Sequence, residues 1–559
     1  MKKALKLILI VTVILVFFFE AAGAVTTMSV KDDGTSTAIT GEIGRGKLVV
    51  DKRLFPYTGV DSKPSVKSIY INQSISAYIR EQKIEATIHA TVPKDGYEVK
   101  YYRRDYNPEI MSFVETEIGE AVEVGDYKMV VTGKGSFSGE LECLFNIYPL
   151  PARSVNPAIK SIKKTEAKPD SKPKDGSGTK SSSKGTAKDT SKDASKDSAK
   201  DSVKNAAKDA AKGKAKAGEE EPEELTLMFT GDLMCKKLMQ DGAYKKGGYN
   251  FKSTFKYAKK VFSEADFVVG NLETLVSGSM PLNSEYDRMQ GRPFLNAPIE
   301  YLEALGYAGY RGLVLANNHC CDGGTVGIKE TIDAVDKAGF ERVGLQSSTK
   351  DKRYFMIEEK GYKVAVLAYA VYFNRNDELL TTSEQRVYLS RPRVSRIKAD
   401  IKAAKKAGAD YIVSYLHCGD EYSKEISARQ RRYVERLSEL GVNYIIGSHP
   451  HVLQRTEVIK PDGKKGRKTP CVFSMGNFVS DLKNELSKET AILKLTLTKT
   501  KKGKVKLSGN EFIPCYMADN WEGKDYVLVP KGYEDTDKKM AKEYNIKKRF
   551  KNAKDALWV

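Results

Sequence analysis

The stretch Val442-Asn-Tyr-Ile-Ile-Gly-Ser-His-Pro-His451 reads as a short buried strand that stops abruptly in a polar turn. Its apolar run ends at Ile446, and two histidines then flank Pro450. The same arrangement recurs through this half of the chain. Leu225-Thr-Leu-Met-Phe-Thr leads into Gly231-Asp232, and the run ending at Val269 into Gly270-Asn-Leu-Glu273. Gly312-Leu-Val-Leu-Ala leads into Asn317-Asn318-His319, and Asp410-Tyr-Ile-Val-Ser-Tyr-Leu into His417. Cys471-Val-Phe-Ser leads into Met475-Gly-Asn477-Phe. Taken singly, each is a turn with a capping Asp or Asn. Together they place one chemical kind of polar group at the carboxyl ends of six predicted strands, where open α/β sheets bind ligands. The chain has five histidines, and four of them (His319, His417, His449 and His451) lie in these motifs. The fifth, His89, falls on an alternating strand pattern upstream and reads as structural.

Between these strands the pattern turns helical. Gly324 to Ala338, Val394 to Ala407 and Ser427 to Leu440 are amphipathic, and each stops at a glycine: Gly339, Gly408 and Gly441. Ala491–Leu497 and Lys504–Ser508 form a predicted hairpin across Thr500-Lys-Lys-Gly503. The expectation is an α/β domain over residues 225–520, with a charged tail at 521–559 whose last 30 residues read as helical. Residues 60–152 alternate in strand fashion with turns such as Pro93-Lys-Asp-Gly96 between strands, which predicts a small β-sandwich.

Residues 156–224 are rich in Lys, Asp, Ser and Ala. From Lys160 to Lys216 there are 17 Lys against 8 acids, so this stretch carries roughly half of the net charge of +20. It is too poor in large apolar residues to offset the entropy of ordering, and is expected to be a solvated linker between two folded parts. The opening combines Lys2, Lys3 and Lys6 with an apolar run from Leu7 to Phe19 and the small residues Ala22-Gly-Ala24. Residues 1–24 are therefore expected to be a signal peptide or an N-terminal membrane anchor, with the rest secreted or held on the outer face of the cell. For such a chain the basic charge suits an anionic envelope polymer, a cell wall or a membrane surface and excludes a nucleic-acid role. The odd count of seven cysteines, without regular spacing, does not describe a disulfide scaffold.

Carboxylate, amide oxygen and imidazole converging from several strands suit one or two of Mn, Fe or Zn better than Ca or Mg. The candidate ligands are Asp232, Glu273, Asn318, His417, His449 and His451. In extended backbone His449 and His451, two residues apart, would face the same way. His319, beside Asn318, is the candidate catalytic acid for a leaving group.

In order along residues 225–480, the six motifs resemble the CapA-type (PgsA) poly-γ-glutamate capsule biosynthesis family. The resemblance implies a layered α/β sandwich related to the calcineurin-like metallophosphoesterases. Asp232 then stands at the first ligand and Glu273 at the bridging carboxylate. Asn318 and His319 match the Asn-His pair, His417 the lone His, and His449 and His451 the closing pair. Two departures accompany it: Met234 stands where the wider superfamily has a His, and Glu273 replaces an Asp. Asp322, Glu421 and Asn477 belong to the CapA-like pattern alone, as substrate-binding or loop-supporting residues. Tyr127 to Tyr148 resembles the closing hairpin of bacterial Ig-like surface modules. The functional expectation is synthesis or export of a capsule or envelope polymer, together with other capsule-synthesis proteins. The alternatives are a metal-dependent phosphodiesterase acting on a wall or lipid-linked phosphate, and a polymer-binding scaffold without catalysis.

Overall fold

The computed structural model describes residues 41–50, 53–79, 82–107, 109–110, 112–149, 223–289, 292–460, 468–521 and 525–558. The N-terminal 1–24 segment and nearly all of the 156–224 linker lie outside the described residues. Among the described residues no helix is long and apolar enough to cross a membrane.

The chain after residue 223 builds two mixed sheets. In the first, the parallel strands Leu225–Leu233, Phe267–Leu272, Gly312–Val314 and Glu341–Val343 lie side by side. Glu489–Lys499, Val505–Trp521 and Asp525–Pro530 extend it by antiparallel pairing on the other side. In the second, Tyr362–Ala370, Tyr411–His417, Tyr444–Ser448 and Thr469–Met475 are parallel, with antiparallel edges Phe355–Glu359 and Leu453–Ile459. All six apolar runs singled out above are strands of these two sheets.

Side-chain alternation stacks the layers. Phe229 faces the second sheet and meets Tyr415, with ring centroids 6.3 Å apart. Thr230, one residue on, bonds instead to Tyr310 just beyond helix Glu300–Ala308. On the second sheet, Val364, Val366, Val413 and Ile446 join the core between the sheets. Ala365, Leu367, Ile412 and Ile445 turn outward onto Ile397, Ile401, Val434 and Leu437 of helices Val394–Lys406 and Ala428–Leu440. The fold is thus α/β, and both sheets send the carboxyl ends of their parallel strands to one place.

The helix stops behave as the sequence predicts: Gly339, Gly408 and Gly441 adopt φ of 85°, 92° and 118°. The hairpin across Thr500–Gly503 forms, with the Gly503 amide donating to the Thr500 carbonyl at 2.8 Å. All seven cysteines are buried and free.

Three expectations need correction. The β-sandwich begins before residue 60: Leu54–Pro56 pairs with Glu140–Tyr148, and Lys47–Val50 with Val66–Ile79. Residues 521–559 are more than a charged helical tail. Asp525–Pro530 is a sheet strand, and helix Ile546–Leu557 buries Ile546, Phe550, Ala553 and Leu557. Nor do the sandwich and the α/β part stand apart, for together they form one compact unit. Leu54 and Tyr148 of the sandwich pack with Leu275, Met280 and Phe294, and Asn146 donates to Tyr286 Oη at 3.1 Å.

Candidate metal centre

Close backbone approach explains why glycines precede two of the motifs. A Cβ on Gly231 would lie 2.0 Å from the Gly476 carbonyl oxygen, and one on Gly447 1.8 Å from that of Phe473. Only glycine lets the neighbouring segments come this near, and both contacts sit immediately before site residues.

Asp232 is fully buried. Its Oδ1 accepts from Asn271 Nδ2 at 2.7 Å, and its Oδ2 from the His449 amide at 3.4 Å. Glu273 is also fully buried, yet neither of its carboxylate oxygens has a hydrogen-bond partner among the described residues. Its Oε1 lies between two imidazoles, 3.9 Å from His417 Nε2 and 3.8 Å from His451 Nε2. Both rings are held from behind. His417 Nδ1 is 2.8 Å from Ser448 Oγ, and His451 Nδ1 is 2.8 Å from Asn477 Oδ1. Asn477 Nδ2 donates to Ser480, so its oxygen faces His451 and leaves Nε2 of that ring as the free lone pair. Asn318 Oδ1 stands 2.8 Å from His417 Nε2, while its Nδ2 donates to Asn374 Oδ1 at 3.2 Å. The His449 ring centroid is 4.7 Å from that of His417.

Two groups of side chains can each close on a cation, with ligand atoms within 4.8 Å of one another: Asp232, Glu273 and His417, and Glu421, His449 and His451. The electrostatics fit a cation too. Burial, and next the Asp232 carboxylate, push the Glu273 carboxyl well above its usual range. Burial, followed by the neighbouring histidines, drives His417 well down, and His449 down to about 3. A divalent ion favours both ionised carboxylate and neutral imidazole, so it would resolve the conflict that burial creates. The residues present therefore fit the group that the motifs imply.

His319 is buried. Its Nδ1 donates to Asp322 Oδ2 at 2.7 Å, and its Nε2 faces Asn374 Nδ2 at 3.5 Å. Asp322 also accepts from the Leu295 amide and from Asn376, so it ties His319 to two neighbouring segments. Asp322 and Asn477 are thus orienting residues, each fixing one histidine ring. The expected geometry of the closing pair needs correction. His449 and His451 are not extended but have φ of 98° and 59°, a rare region for non-glycine residues. Their shared direction comes from this strained turn around Pro450.

Sequence reasoning passed over several residues of the site. Asn271, Asn317 and Ser448 lie inside the quoted motifs and hydrogen-bond to their functional neighbours. Asn374 lies beyond strand Tyr362–Ala370, a seventh apolar run whose end carries no His or acid. It lines a cavity of about 540 Å³ together with Tyr372, Arg375, Arg391, Glu421 and His449.

Residues 226–482 match the profile of the family described as bacterial capsule synthesis protein PGA_cap. Residues 226–482 are CapA-like. The capsule biosynthesis protein CapA of Bacillus anthracis is 30% identical over 280 residues, which are 50% of this chain and 65% of that protein. The chain thus spans less than two thirds of that relative. The PGA biosynthesis protein CapA of Bacillus subtilis (strain 168) is 26% identical over 292 residues, 51% of this chain and 70% of that one. Among solved structures, the calcineurin-like phosphoesterase YfkN from Bacillus subtilis is 16% identical with a TM-score of 0.34, over 59% of this chain and 99% of that one. A putative 5'-nucleotidase from Staphylococcus aureus is 11% identical with a TM-score of 0.34, over 58% of each chain. Structural likeness of that size carries nothing about the chemistry of the CapA-like domain.

Proposed function

We propose that this chain acts at the outer face of the cell in the synthesis or export of an anionic capsule or envelope polymer, and that its CapA-like domain works through a centre of divalent cations, one or two of Mn, Fe or Zn. The observation that carries the metal reading is Glu273, a buried carboxylate that no donor among the described residues reaches, set between the Nε2 atoms of two oriented imidazoles. The capsule role is supported by the two CapA relatives and the PGA_cap match. The outer-face placement is supported by the Lys-rich opening and its apolar run.

The His319–Asp322 pair favours a catalytic form of this reading, transfer or hydrolysis at a phosphate. When bound, the cations would supply Lewis-acid polarisation of a phosphoryl oxygen and stabilise charge during its transfer. Asp322 holds the His319 ring through Nδ1, so that the ring, when protonated, can present its Nε2 proton to a leaving oxygen. Asn318 is oriented by Asn374, which keeps its Oδ1 towards His417. Arg375 and Arg391 line the same cavity, where they pair with Glu378 and Asp377.

The test is a strain deleted for this chain and complemented with wild type, Glu273→Gln or His319→Ala. Surface anionic polymer is expected to be lost on deletion, restored by wild type and not restored by either variant. Polymer unaffected by the deletion would contradict the capsule role. Restoration by His319→Ala but not by Glu273→Gln would favour a metal-dependent scaffold over catalysis.

A further inference from the structure

We propose that Glu421 is a metal ligand, and that with His449 and His451 it holds a second divalent cation on the solvent side of the buried Asp232–Glu273–His417 group. The proposal rests on the metal reading of the centre. Glu421 lies on the loop that follows strand Tyr411–His417, and the loop is pinned to the histidine turn. The Tyr422 amide donates to the Pro450 carbonyl at 2.7 Å, and the Tyr422 ring lies 5.8 Å from that of His451. Tyr422 itself has φ of 61°, so the backbone bends sharply just after the glutamate.

The result is a carboxylate whose oxygen stands within 4.8 Å of a nitrogen of each histidine. A second feature points independently to a ligand there. His449 is 6% exposed, and its Nδ1 has no hydrogen-bond partner among the described residues. A buried ring nitrogen without a partner is costly unless something fills its lone pair or takes its proton. Glu421 is exposed where the two histidines are buried, so it closes the group from the cavity side. Two imidazoles and one carboxylate form a three-ligand set of the kind that leaves a coordination position open. That open position would face the cavity of about 540 Å³ lined by Arg375 and Arg391.

The test uses the full chain, stripped with a chelator, dialysed and titrated with Mn²⁺ in a calorimeter, with bound metal counted after equilibrium dialysis. Wild type is expected to take up about two ions per chain. Glu421→Ala and Glu421→Gln should keep one ion at wild-type affinity. They should bind the other at least about 10–100-fold more weakly, the loss typical even of partners that only orient a ligand. Because Glu421 is exposed, the ion-free variants should melt with ion-free wild type. Two ions bound at wild-type affinity by both variants would overturn the proposal and leave the metal centre standing. A wild-type chain that binds no Mn²⁺ would overturn the metal reading itself, and this proposal with it.

Discussion

A carboxylate buried without a donor, as Glu273 is, costs the folded chain stability until a cation reaches it. Glu273→Gln removes the charge and its repulsion with Asp232. The ion-free variant should therefore melt no lower than ion-free wild type, while its bound metal falls sharply; calorimetry and elemental analysis of the same samples check both. His319 lies outside both ligand groups, so His319→Ala should spare metal and lower any phosphodiesterase turnover by roughly 10²–10⁴-fold, as for loss of a general acid. The buried histidines give a pH test. In the ion-free fold His449 titrates at about 3, against a usual value of 6.5. Between those values the unfolded chain binds more protons, so stability from the neutral ring is present above 6.5 and is lost as pH falls towards 3. Denaturant melts should show ion-free wild type losing stability relative to His449→Asn as pH is lowered through that window. At this scale much of the site was legible in the sequence, because few residue types bind divalent metals and four of five histidines stand at strand ends. What spacing could not show is how loops bend. Glu421 reaches the histidines through a left-handed Tyr422, and Asn374 reaches His319 from a strand end that bears no motif residue. Met234, where the resemblance expects an imidazole, offers only a weak thioether donor, and Glu421 supplies a charged oxygen in the same centre.

The strands were readable as elements because buried parallel strands are near-continuous apolar runs, and the helices because each ends at a glycine in the left-handed region. The C-terminal segment read as helical, but its charge hid the face that packs. Lys547, Lys548, Arg549, Lys551 and Lys554 dominate the segment, yet Ile546, Phe550, Ala553 and Leu557 recur at helical spacing on one face. That face is buried, Thr456 bonds to the Leu557 carbonyl, and Arg549 pairs with Glu485 and Glu489 of the neighbouring chain segment. Leu557→Ala should cost ~2–5 kcal/mol in urea unfolding, the range for removing a fully buried leucine side chain. A change below about 0.5 kcal/mol, the size of a surface substitution, would show that the helix is not part of the folded core.

For the whole molecule, the β-sandwich and the CapA-like domain share an apolar contact and a hydrogen bond to Tyr286, and Arg53 donates to the Glu378 carbonyl beside the cavity segment. Composition alone pointed to two parts joined by a linker, since nothing in a sequence marks which exposed residues of one part meet the other. Proteolysis within 156–224 should therefore nick the chain without separating it, and the two fragments should co-elute in gel filtration. The central claim is that the strand ends of both sheets assemble a divalent-metal centre. Its most direct test is elemental analysis of the full chain purified without chelator, beside Glu273→Gln prepared identically. Between about one and two ions of Mn, Fe or Zn per wild-type chain are expected, with most of them lost in the variant. Wild type that carries no such metal, and takes up neither Mn²⁺ nor Zn²⁺ on dialysis, would contradict the account.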